Sequence, residues 1–146
     1  MTTAVLKTID TATQIASELA TIAQQLRDCT VQVRSNQLGS GSGVIWHSDG
    51  LIITNAHVAQ TEKTTVELED GRVFEAVRTS IDPRLDLAAL RVEATDLKAA
   101  TINNSETLRV GELVLAVGNP LGAVGVLTTG IIHSIALTNI FNRDKE

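Results

Sequence analysis

Apolar residues in the first 28 positions recur at steps of four and three. Val5, Ile9, Ala12, Ala16, Leu19, Ala23 and Leu26 make the stripe, with Ile15 and Ile22 beside it. That spacing puts them on one face of an α-helix, as in a heptad a/d stripe. No Gly or Pro interrupts residues 3–28. A stripe widened in this way predicts a helix that docks on the body of its own domain, with an oligomerising helix as the alternative.

From residue 30 the period changes to short apolar runs. They are Thr30–Arg34, Gly43–Trp46, Leu51–Thr54, Thr65–Leu68, Val73–Val77 and Leu87–Val92. Asp49-Gly50 and Asp70-Gly71 are hairpin signals, since Gly enters the left-handed region freely and Asp tolerates it. Helices that could alternate with these strands are missing, so residues 30–102 predict a closed antiparallel barrel of six strands. Residues 110–138 carry two further strands, Leu113–Val117 and Leu127–Ala136, around a Gly-Asn-Pro turn. A two-stranded pair is marginal by itself and leaves open edges. This last stretch therefore reads as the opening of something larger. Its apolar positions (Val114, Val117, Leu127, Ile131, Ile132, Ile135 and Leu137) predict self-association, cover by the N-terminal helix, or capture of a C-terminal partner.

Composition narrows the function classes. The chain has 146 residues, 43% hydrophobic and 20% charged, which suits one ordinary domain and excludes wholesale disorder. With one Trp, two Phe and no Tyr, the core must come from Val, Ile, Leu and Ala. A net charge of -5 without clustered Lys and Arg argues against a nucleic-acid partner. No apolar run approaches the length of a membrane span, about 18 residues. Cys29 is the only cysteine, so neither an internal disulfide nor a CxxC site can form. The first 28 residues lack the charged start, apolar segment and cleavage site of a secretory signal, so a cytoplasmic location is expected.

Few residues offer chemistry. His47, His57 and His133 are not spaced as metal ligands, and no acidic cluster accompanies them. His47 beside the Asp49-Gly50 turn reads as a surface residue, and His133 as part of a late strand. His57 follows the apolar strand Leu51-Ile52-Ile53, where a scaffold can hold an imidazole rigidly. Asp86 sits in the apolar run Leu85–Leu90, and a carboxylate there needs a partner, an imidazole N–H being the natural one. Asp82, before Pro83, reads as a turn residue. The glycine-rich runs Gly39–Gly43 and Gly118–Gly125 lack the Gly-Lys-Ser/Thr ending of a phosphate loop, which argues against nucleotide binding. No cofactor or metal is implied.

Together the blocks resemble a known family. Gly41-Ser42-Gly43-Val44-Ile45-Trp46 and Asp49-Gly50-Leu51-Ile52-Ile53-Thr54-Asn55-Ala56-His57-Val58 are similar to the trypsin-like serine proteases of the HtrA/Deg type. Val66–Phe74, Asp82–Leu90, Val110–Gly122 and Thr128–Ser134 continue the resemblance in order, over residues 30–137. It implies a trypsin-like fold, peptide-bond hydrolysis, and protein or peptide substrates. It also implies that His57 is the general base and Asp86 its orienting carboxylate. The family's Gly-Asn-Ser-Gly-Gly segment, bearing the nucleophilic Ser and the oxyanion hole, does not occur in these 146 residues. The fold expected is mainly β: an N-terminal helix (1–28), a first barrel (30–102) and an incomplete second barrel (110–138). Three readings stay open: a truncated or split protease inactive by itself, a non-catalytic binding module on one barrel, and half of a protease completed in trans.

Overall fold

The stripe of residues 3–28 folds into one helix, α1 (Thr2–Asp28); among its side chains described from residue 10 onward, only those of the last turns are covered. Ala23 is buried and Leu19 and Leu26 are half-buried, whereas Ala12, Ile15 and Ala16 on the same face are exposed. Among these described side chains, docking on the body reaches back as far as Leu19, and the stripe at Ala12 and Ala16 faces solvent. Its C-terminal end is pinned. Thr30 Oγ1 donates to the Leu26 carbonyl at 2.7 Å, and Lys98 Nζ donates to Asp28 at 2.7 Å. A carboxylate at a helix C-terminus opposes the helix dipole, and Lys98, the largest influence on it, holds the Asp28 carboxyl below its usual range.

The computed structural model describes residues 2–35, 39–119 and 125–135, with side chains from residue 10 onward. After α1 come β1 (Thr30–Ser35), β2 (Gly39–His47), β3 (Leu51–Thr54), β4 (Lys63–Glu67), β5 (Val73–Asp82) and β6 (Leu87–Val92). They close into the antiparallel barrel β1-β2-β3-β6-β5-β4, with β4 returning to pair with β1. Closure leaves these strands no open edge. Strand alternation points Val31, Val33, Ile45, Ile52, Val66 and Leu90 inward, each at most 1% exposed. As composition required, the core is aliphatic.

Three strand limits in the barrel differ by two residues or more from those the apolar pattern predicts. β2 starts at Gly39 rather than Gly43. Its first residues add nothing to a hydrophobic pattern, yet their backbones pair in register with β1, from Val31↔Gly43 to Ser35↔Gly39. The missing side chain at Gly43 is filled by Val31, Val33 and Ile52, whose methyls lie 3.0–3.1 Å from where a Cβ would stand. β5 runs past Val77 to Asp82 through a polar stretch, with a register shift between Arg78 and Ser80. β4 begins two residues early, because Lys63 pairs with Val77. Both aspartyl-glycine turns form, with Gly50 and Gly71 at φ +102° and +84°.

β7 (Leu113–Gly118) and β8 (Val126–Ile131) make a separate two-stranded antiparallel sheet. The predicted strand over 127–136 is thus shorter: pairing ends at Leu113↔Ile131, where β7 begins. Ile132 then bonds backwards, donating to Glu112 O at 2.9 Å and accepting from Gly111 N at 2.8 Å. His133 lies beyond the strand and is exposed; Ala136 and Leu137 fall outside the described residues. A chain of hydrogen bonds fastens this sheet to the rest. Buried Asn119 donates its N–H to Ser42 Oγ (2.7 Å) and accepts from Gly125 N (2.7 Å), while Arg27 of α1 donates to Gly125 O (3.1 Å).

Candidate functional site

The barrel brings together the two residues that sequence reasoning joined. β3 and β6 are antiparallel neighbours, with Thr54 opposite Ala88. The residues just after β3 and those just before β6 therefore leave the barrel at the same end. His57 stands in the first segment and Asp86 in the second.

After β3 the chain makes one tight turn. The Asn55 carbonyl accepts from Val58 N at 3.1 Å and Ala59 N at 3.2 Å. Ala56 and Ala59 are buried and anchor the turn, which presents the His57 side chain outward, 67% exposed. Val58 packs over Gly41: a Cβ there would stand 2.5 Å from Val58 Cγ2. Thr54 Oγ1 donates to the Ser42 carbonyl at 2.7 Å, tying the end of β3 to β2.

Asp86 holds this turn at two points. Oδ2 lies 2.7 Å from His57 Nδ1, and Oδ1 accepts the His57 backbone N–H at 3.0 Å. Asn55 Nδ2 adds bonds of 3.1 Å to Oδ2 and to the Asp86 carbonyl. Asp86 has φ +53°, a left-handed conformation that Asp accepts more readily than most residues. The His57 backbone N–H is the largest influence lowering the Asp86 carboxyl below its ordinary value, with the imidazole and Asn55 adding to it and partial desolvation opposing. An ionised Asp86 can only accept, so neutral His57 carries its proton on Nδ1 and leaves the Nε2 lone pair facing outward. That arrangement can take a proton from a neighbouring hydroxyl.

The other candidates lie apart. His47 is exposed, as expected, at the end of β2. Asp82 is a turn residue, its Oδ1 accepting from Arg84 N at 2.9 Å and Leu85 N at 3.3 Å. Among the described residues no serine hydroxyl is bonded to the His57 ring, and no group of three or more His, Cys, Asp or Glu is placed to hold a metal ion. No helix among them is long and apolar enough to cross a membrane. Asn55 was not singled out from sequence; the only signal was an amide directly after an apolar strand.

Residues 41–145 match the family model of the trypsin-like peptidase domain. Individual relatives agree. HhoB of Synechocystis sp. is 44% identical over 98 residues, 66% of this chain and 24% of its own length. "Serine protease HTRA2, mitochondrial" of Drosophila grimshawi is 43% identical over 98 residues, 65% and 23% of the two chains. "Probable periplasmic serine endoprotease DegP-like" of Pseudomonas fulva is 46% identical over 95 residues, 64% and 20%. The chain thus spans about a quarter of the length of the curated relatives it matches, or less. With the six-stranded barrel and the His57–Asp86 pair at one end of it, these matches make the chain a member of the trypsin-like peptidase family, of the HtrA/Deg type.

Proposed function

We propose that these 146 residues form the base-bearing half of an HtrA/Deg-type serine endopeptidase acting on protein or peptide substrates. The carrying observation is the 2.7 Å contact between His57 Nδ1 and Asp86 Oδ2, with Asp86 also gripping the His57 backbone. In this reading His57 Nε2 takes the proton of a serine hydroxyl as that oxygen attacks the peptide carbonyl, then delivers it to the leaving amine. Asp86 fixes the tautomer and stabilises the imidazolium between those steps. The serine and the oxyanion hole come from residues other than these 146, in the same polypeptide or in trans.

The 146-residue polypeptide by itself should then neither hydrolyse casein nor take a fluorophosphonate label. Casein turnover that His57→Ala abolishes would place a nucleophile inside these residues and overturn the reading. A non-catalytic binding module is the second reading. It is favoured by the barrel's closing into a complete aliphatic core without a second half. Supplying the remaining family segment as a separate chain separates the two: recovered, His57-dependent hydrolysis supports the protease half, and binding without hydrolysis supports the module.

A further inference from the structure

The His57 turn is gripped on its far side as well. Arg78 Nη1 donates to the carbonyls of Ala59 and Gln60, both at 2.7 Å, and Arg78 N donates to Glu62 O at 2.7 Å. Strand limits explain why Arg78 meets this segment. β4 begins at Lys63, which pairs with Val77. On the side away from β6, Arg78 therefore meets residues 59–62 rather than β4. Within the turn the Asn55 carbonyl is already taken by Val58 and Ala59. The carbonyls of Ala59 and Gln60 leave the turn at its C-terminal end, where a cation both donates hydrogen bonds and complements the backbone dipoles.

Arg78 and Asp86 belong to one hairpin, β5–β6, and touch the same short segment at opposite ends. Asp86 holds the ring and N–H of His57; Arg78 holds the two carbonyls that follow Val58. The register shift between Arg78 and Ser80 lies within this hairpin, between the part of β5 that carries Arg78 and its Asp82 end. We propose that Arg78 is a positioning residue: by fixing the Ala59–Gln60 backbone it keeps His57 in register with Asp86. This deepens the reading of His57 and Asp86 as base and orienting carboxylate, and rests on it.

The test uses the 146-residue chain with labelled histidine. The two imidazole nitrogen shifts, measured above the titration range of the ring, give the fraction of His57 protonated at Nδ1. Asp86→Asn supplies the uncoupled reference. Arg78→Met keeps the aliphatic stem and removes the donors, and Arg78→Lys returns a cationic donor. The expected result is a parent chain mainly in the Nδ1–H form. Arg78→Met should shift the tautomer ratio toward Nε2–H by about tenfold, the scale of one charge-assisted hydrogen bond, and Arg78→Lys should recover part of it. Unchanged amide signals at Val31, Val33 and Leu90 identify folded variants. A folded Arg78→Met with the parent ratio, or Arg78→Lys no better than Arg78→Met, overturns the positioning role. A parent chain already in the Nε2–H form overturns instead the base-and-carboxylate reading on which it rests.

Discussion

Thr54 stands opposite Ala88 in the β3–β6 pairing, and that one rung sets the distance between His57 and Asp86. Three residues beyond Thr54 and two before Ala88, the chain has left the sheet at the same end on both strands. A two-residue slip in this register would keep every side chain on its own face of the sheet while carrying the imidazole and carboxylate apart. The site therefore depends on the alignment of two strands as well as on its own contacts.

Asp86→Asn should release the imidazole without unfolding the barrel. The amide can donate where the carboxylate only accepts, so the Nδ1–H tautomer loses its preference. The pair is largely exposed, and exposed ion pairs contribute little to global stability. Nitrogen shifts of His57 should move while the thermal midpoint barely changes. A large fall in that midpoint would show that the pair holds up the fold rather than the site.

Acid should release the same turn. The Asp86 carboxyl is lowered from 3.8 in the folded chain. A depressed carboxylate contributes stability that is fully present above its unfolded value and disappears as pH falls through the folded one. The exchange protection of the His57 amide, whose N–H bonds to Oδ1, should therefore fall below the ordinary carboxylate range and stay level above it. Asp86→Asn should lack this acid step; an identical step in the variant would assign it to another group.

Gly41→Ala should disturb the site from behind. Its Cβ would stand 2.5 Å and 2.9 Å from the two Val58 methyls, beside His57. Overpacking of this kind costs about 1–3 kcal/mol, and here the strain falls on the turn. Denaturant unfolding should show a loss of that order together with shifted His57 resonances. Gly39→Ala differs, because nothing lies within 4 Å of a Cβ there and only its φ of +103° resists substitution.

How far the sequence shows the fold depends on the kind of contact. The barrel was legible because Ile45, Ile52, Val66 and Leu90 alternate inward and because Asp-Gly pairs mark two turns. The extension of β2 to Gly39 was not, since paired glycine and serine backbones leave no apolar trace. The helical stripe was legible as periodicity, but periodicity does not say how far the docking surface reaches, and Ala12 and Ile15 are exposed. His57 at a strand end and Asp86 stranded in an apolar run each stood out by position, and the resemblance to the HtrA/Deg type is what paired them. Asn55 and Arg78 could not, for they act on backbone carbonyls or on a side chain distant in sequence, and only the folded register brings those within reach.

Ser42→Ala should loosen β7–β8 from the barrel. The Ser42 hydroxyl accepts the Asn119 N–H at 2.7 Å, and Asn119 is 2% exposed. Leaving a buried donor unpaired costs about 1–3 kcal/mol. Hydrogen exchange should rise along Leu113–Gly118 with little change in β1 or β6. Equal deprotection of every strand would mean that the two sheets unfold as one unit.

Association is the last expectation, and the outer rung of the small sheet carries it. Leu113 and Ile131 are paired across β7–β8 and remain 59% and 66% exposed, with Val126 and Val114 also open at 38% each. Covering a large aliphatic side chain is worth about 1.5–3 kcal/mol, and a two-stranded sheet offers unpaired edges for strand addition. The docked turns of α1 do not cover this rung. The chain should therefore form dimers or larger species at micromolar concentration, measured by light scattering. Leu113→Lys with Ile131→Lys should return it to monomer, since two cations on one rung oppose both burial and edge pairing. A parent chain that stays monomeric across that range would exclude this sheet as a self-association surface. Association that survives the double substitution would move the contact to the exposed Ala12–Ile15–Ala16 face of α1, which a helix variant with Ile15→Lys would then abolish.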